Sequence, residues 1–182
     1  MVDIQRVRNK SDVAVVLTLI YEFMDWLSGR YPELHDTIAD YFNSQGLEDE
    51  LANLPSVFGP PGGECLLARI DDERVGILMF KKHSTDECEM NRMFVRASAR
   101  RNGVGQALGH RLIECAREMG YKRMILSALD RHEEALPLYR KLGFVHEDRE
   151  TDTSSAEREV CMALDLTVEQ RKATRMQNNL NG

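Results

Sequence analysis

At 182 residues, 42% apolar and 30% charged, the chain can fill one domain with a sizeable core and lies outside the composition of a disordered protein. It has no 18-residue apolar run and no basic-then-apolar opening, so neither a membrane span nor a secretory signal is expected, and a cytoplasmic protein is. A net charge of −6, with few aromatics near the arginines, argues against a nucleic-acid surface.

In chain order, residues 4–7 read as a short strand. Ser11 or Asp12 then caps a helix to about Gly29, with Val16, Ile20, Phe23 or Met24, and Leu27 on one face. Tyr31-Pro32 breaks it, and a second helical stretch covers residues 38–54 with an interruption near Gly46. The Gly- and Pro-rich residues 58–63 are a loop, and residues 66–70 and 75–81 form a hairpin across residues 71–74. A strand from Glu89 to Val95 and a helix to about Met119, ended by Gly120, come next. A strand over 123–128, a helix over 132–142 and two strands near 145–149 and 159–166 complete the order, with a polar tail from Thr167. Pro137 falls inside the predicted helix and is tolerable only near its start. Cys65, Cys88, Cys115 and Cys161 lack C-x-x-C spacing and lie in apolar stretches, as reduced buried thiols do. Five scattered histidines give no ligand spacing, so no metal is expected.

The most informative segment joins the strand ending at Val95 to the following helix through a basic polar loop and Gly103-x-Gly105. Glycines there let the backbone approach a bulky anion, several unpaired N–H groups converge at the helix start, and the helix dipole adds positive charge. Three readings compete. A P-loop requires Lys-Ser or Lys-Thr after the glycines, which is missing. A dinucleotide fold requires its glycines almost directly after the strand, whereas seven residues intervene here. The third reading is a plain connection with solvated arginines. Residues 92–123 carry eight basic against two acidic side chains, so positive charge gathers along this stretch of an acidic chain.

Arg100-x-x-Gly103-x-Gly105 matches the [QR]-x-x-G-x-[GA] signature and resembles the GNAT superfamily of acyl-CoA-dependent N-acyltransferases. Residues 135–144, ALPLYRKLGF, resemble the segment that closes the cofactor site in that family, and residues 45–55 and 161–166 resemble its bacterial small-molecule branch. The resemblance implies one α/β domain over residues 1–166, a mixed central sheet of about six or seven strands flanked by about four helices, and a separate tail over 167–182. It implies acetyl-CoA as acyl donor and a small-molecule primary amine as acceptor, with dimers common in the family and oligomeric state open here. By resemblance, the backbone of Met93, Phe94 and Val95 grips the pantetheine arm and polarises the carbonyl, and Arg100, Arg101, Asn102, Gly103, Val104, Gly105 and Gln106 take the pyrophosphate.

Glu89 is the candidate general base through one water; its alternative is a strand-end carboxylate, solvated or paired with Arg92. Tyr139 is the candidate acid for the departing thiolate, which is feasible because a phenol titrates near ~10 and a thiol near ~8.5; otherwise it belongs to the core. His132 stands where many relatives carry Asn, and either bonds the cofactor's amide chain or caps its helix. Ser127-Ala128 departs from the branch's Asp-Thr, which weakens inference about the acceptor. The acceptor groove would draw on Tyr21, Asp25, Trp26, Tyr31, Glu48, Asp49 and Glu50, whose acidity suits a cationic amine or a solvated face equally. A non-catalytic acyl-CoA sensor is the alternative function.

Overall fold

The computed structural model describes residues 1–44, 46–130, 133–148 and 159–168; His132 and nearly all of the expected tail lie outside this set. Strand β1 (Val2–Arg6) leads into helix α1 (Lys10–Arg30). The helix starts earlier than Ser11 or Asp12 would place it, because Asn9 has the extended φ of a cap and accepts the Asp12 N–H at 2.9 Å. The Asn9 side-chain amide also donates to the Asp12 carboxylate at 2.9 Å, which holds the cap in place. Val16, Leu19, Ile20, Phe23 and Leu27 form the buried face of α1.

The predicted second helix is three short ones, α2 (His35–Ser44), α3 (Leu47–Ala52) and α4 (Leu54–Val57). Gly46 takes a left-handed φ of 65° between the first two, and Pro55 sits in the first turn of the third, where its missing N–H is not needed. Strands β2 (Glu64–Ile70) and β3 (Glu73–Lys82) form a tighter hairpin than expected, with Ile70 opposite Glu73. Asp71 makes the two-residue turn possible by accepting a φ of 52°.

Strand β4 (Glu87–Val95), helix α5 (Val104–Glu118), strand β5 (Arg123–Leu129), helix α6 (Ala135–Lys141) and strands β6 (Val145–His146) and β7 (Glu159–Asp165) follow. Pro137 is the third residue of α6, inside the first turn where no intrahelical N–H bond is lost. The seven strands run in the order β1-β2-β3-β4-β5-β7-β6, all antiparallel except β4 with β5. That fold class, a mixed α/β sheet with helices on both faces, agrees with the sequence reading.

Two apolar cores flank the sheet. One joins Leu78, Phe80 and Met124 to Leu108 and Leu112 of α5 and Leu136 of α6. The other joins Leu67, Ile77 and Phe94 to Phe23 and Leu27 of α1, Leu34 and Phe58. Gly109 lets α5 and α6 meet: a Cβ there would lie 2.4 Å from Leu142 Cδ1. The four cysteines are unpaired and buried, and burial pushes the Cys88 thiol up to about 12. Among the described residues no helix is long and apolar enough to cross a membrane.

Candidate functional site

The single parallel pairing in the sheet is short. Glu87, Cys88 and Glu89 pair with Arg123, Met124 and Ile125, and beyond them β4 and β5 part. On its other edge β4 is bulged: Ile77 and Met79 of β3 face Phe94 and Asn91, so two steps on one strand match three on the other. Arg92 takes a φ of 58° inside this bulge, an uncommon conformation for a non-glycine residue. The fork opens a small inner cavity lined by Phe23, Leu27, residues 90–93, residues 127–129 and Tyr139.

A larger groove of about 520 Å³ shares Phe23 and Met93 with this cavity. Its walls are Met93, Phe94 and Val95 of β4, the loop residues Arg100, Arg101, Gly103, Val104, Gly105 and Gln106, and Ala135, Pro137, Leu138 and Lys141 of α6. Phe23 and Trp26 of α1 close it on the fourth side. Residues 101–106 donate to no backbone carbonyl; the first such bond at this helix start is from Ala107 to Gly103, at 2.9 Å. Five of these six main-chain donors, all but that of Asn102, belong to residues lining the groove at a helix N-terminus, an arrangement that fits a diphosphate. Asn102 borders a different surface depression, beside the β2–β3 turn.

The two glycines serve different ends. Gly103 has a φ of 78° and open space where a Cβ would stand, so backbone conformation is what demands it. Gly105 would place a Cβ 2.9 Å from Leu138 Cδ2, so its small size serves the seating of α6. Arg100 differs from expectation as well. Its Nε donates to the Val95 carbonyl at 2.9 Å, and its guanidinium lies 4.3 Å from the Trp26 ring centroid. The arginine therefore ties the loop to the end of β4 and to α1, and the Val95 carbonyl is already occupied. Trp26, expected in the acceptor groove, stands in this one instead.

Pairing thins the positive charge expected along residues 92–123. Arg96 is clasped by Glu22 at 2.7 and 2.8 Å and reaches Glu73 at 3.1 Å, and its guanidinium holds the Glu22 carboxyl below the usual carboxylate range. Arg92, Arg111, Lys122 and Arg123 also have carboxylate partners. Of the eight basic residues, Arg100 and Arg101 line the groove.

Glu89 is not paired with Arg92. Its Oε1 accepts from Asn91 Nδ2 at 3.1 Å, and its Oε2 lies 3.8 Å from Lys81 Nζ. Arg92 turns to Glu50 at 2.7 Å, and Lys81 also contacts Glu50, so a four-member charged cluster lies under α3. Tyr139 is buried, packs edge-on against Phe144 with centroids 6.1 Å apart, and lines the inner cavity. Lys81 and Asn91 were not singled out from sequence, whereas Glu50 was named with Glu48 and Asp49 only as an acidic residue of the acceptor groove. Among the described residues no group of three or more His, Cys, Asp or Glu is placed to hold a metal.

A model described as the Acetyltransferase (GNAT) family matches residues 20–144, and the chain belongs to that family. Over 103 residues it is 35% identical to an uncharacterized N-acetyltransferase of Schizosaccharomyces pombe, covering 55% of this chain and 63% of that protein. Over 102 residues it is 32% identical to the N-acetylaspartate synthetase of Rattus norvegicus, covering 55% of this chain and 34% of that protein. The match thus spans less than two thirds of either relative. Among solved structures, the PaiA N-acetyltransferase of Thermoplasma acidophilum in complex with coenzyme A shares the fold, with a TM-score of 0.68, 15% identity, and coverage of 91% of this chain and 99% of that one.

Proposed function

We propose that this chain is an N-acetyltransferase that moves the acetyl group of acetyl-CoA to a primary amine of a small-molecule acceptor, by direct attack in a ternary complex. The observation that carries the reading is a groove lined by the loop whose amides at residues 101–106 have no backbone partner, sharing Phe23 and Met93 with the cavity at the fork between β4 and β5. Membership of the family and the coenzyme A bound to the Thermoplasma neighbour support acetyl-CoA as the donor.

In this reading the amides of Arg101, Asn102, Gly103, Val104, Gly105 and Gln106 hold the diphosphate, and Trp26, Leu138 and Pro137 flank the arm. Bound acetyl-CoA supplies a thioester whose C–S bond breaks as the amine's C–N bond forms. Main-chain N–H groups of Met93, Phe94 and Val95, on the strand that borders the fork, polarise the carbonyl. Glu89 accepts a proton from the acceptor's ammonium through water. Tyr139, on the inner wall of the fork, gives its phenolic proton to the departing sulfur and regains one from solvent.

Isothermal titration with acetyl-CoA tests the donor, with a Kd expected in the range of about 1 μM to 1 mM. Turnover is then read as thiol release in the presence of L-aspartate, spermidine or kanamycin. Tyr139→Phe should lower kcat by about 100-fold or more with little change in acetyl-CoA binding. Binding of the donor without thiol release in the presence of any of these amines would mark a sensor instead.

A further inference from the structure

One buried polar atom at the fork has no explanation within the fold. Asn91 is 6% exposed and its Nδ2 donates to Glu89, yet its Oδ1 is buried and accepts no hydrogen bond. Turning the amide over would aim Oδ1 at the Glu89 carboxylate, so the orientation is fixed by chemistry. The other buried side-chain atoms without a hydrogen bond, among the described residues, are the Nε atoms of Arg6, Arg69 and Arg74; that of Arg6 lies 3.4 Å from Glu64 Oε2, and none of those residues lines the inner cavity. Asn91 does line it, beside Arg92 and across from Ser127 and Tyr139. A buried carbonyl without a donor destabilises the fold, and a leucine of the same shape would suit an empty protein better.

Resting on the acetyltransferase reading, we propose that Asn91 holds the acceptor nitrogen, with Oδ1 accepting one N–H while Nδ2 keeps Glu89 in place for its proton. An ammonium on a primary amine carries three protons. One passes to Glu89, one passes to solvent as the amide forms, and the third stays on the product nitrogen. That retained N–H is the one Oδ1 binds. A secondary amine has no retained proton, so it loses this contact in the product-forming geometry. The inner cavity of about 30 Å³ admits only a few small groups, which favours an amino group on an unhindered carbon. Asn91 thereby sets a preference for unhindered primary amines.

The test uses whichever of L-aspartate, spermidine and kanamycin releases thiol fastest with the full chain. In Asn91→Leu the KM for that amine should rise about tenfold, while the Kd for acetyl-CoA by titration stays within about twofold. The ligand-free Tm of this variant should equal or exceed the parent's. Methylating the reacting nitrogen of the amine should lower kcat/KM about tenfold in the parent and much less in Asn91→Leu. An unchanged KM for the amine in the leucine variant overturns the proposal. A Tm drop of more than about 5 °C does the same, since it shows Oδ1 to be satisfied within the fold. Failure of the parent to bind acetyl-CoA is a separate result that removes the acetyltransferase reading itself.

Discussion

On the face covered by α5 and α6 the chain works through its main chain, whereas on the face covered by α1 to α4 it works through side chains from distant parts of the sequence. The first face offers amides at residues 101–106 and sets them with a left-handed Gly103 and close contacts at Gly105 and Gly109. The second buries Glu50 and Arg92, which are 42 positions apart, and joins them to Lys81 and Glu89. A backbone site needs only small residues at fixed spacing. A side-chain site needs a fold to assemble it first.

Breaking the side-chain face should have the largest effect. Arg92→Leu strands the buried Glu50 carboxylate with Lys81 as its remaining charged partner, and should lower stability by about 3 kcal/mol. In thermal melts that is a Tm loss of roughly 6–12 °C, and adding Glu50→Leu should return much of it. Damage to the backbone face should be milder. Gly109→Val drives a side chain into Leu142, whose Cδ1, Cδ2 and Cγ would lie 2.4, 2.8 and 3.2 Å from the new Cβ. About 1–3 kcal/mol should be lost in denaturant titration, with weaker acetyl-CoA binding because α6 is displaced from the groove.

Where the two faces touch, Arg100→Met removes both the contact with Trp26 and the bond to the Val95 carbonyl. Acetyl-CoA should bind about three- to tenfold more weakly, and the emission of Trp26, the chain's single tryptophan, should change. The smallest effect concerns Glu22. Arg96 lowers the Glu22 carboxyl's titration, so the stabilisation is present at neutral pH and is lost as the pH falls through the folded-state value, below the ordinary ~4.3. The Tm difference between the parent and Glu22→Gln should therefore be widest near pH 7 and close as the pH drops below 4.

The same contrast explains what could be read beforehand. Gly103-x-Gly105 after an apolar strand is local, and so were the order of elements and the position of the groove. Tyr139 was placed by a segment of ten adjacent residues. The bulge at Arg92 was hidden, because it depends on which β3 residues face β4 and not on the composition of either strand. The split of residues 38–54 into three helices and the cap at Asn9 were missed at boundaries, where one side-chain bond or one proline decides. The alternative that would have paired Glu89 with Arg92 fails for a structural reason: Arg92 is close in sequence, yet the bulge and α3 direct it to Glu50.

The clasp of Arg96 by Glu22 and Glu73 has a consequence for how a polyanion finds the groove. Cations already spent on internal partners project little field into solvent, and an overall acidic protein repels such a ligand at a distance. Capture must then depend on short-range fit. Association should be slow for so charged a ligand, and raising the ionic strength should speed the encounter by masking the repulsion.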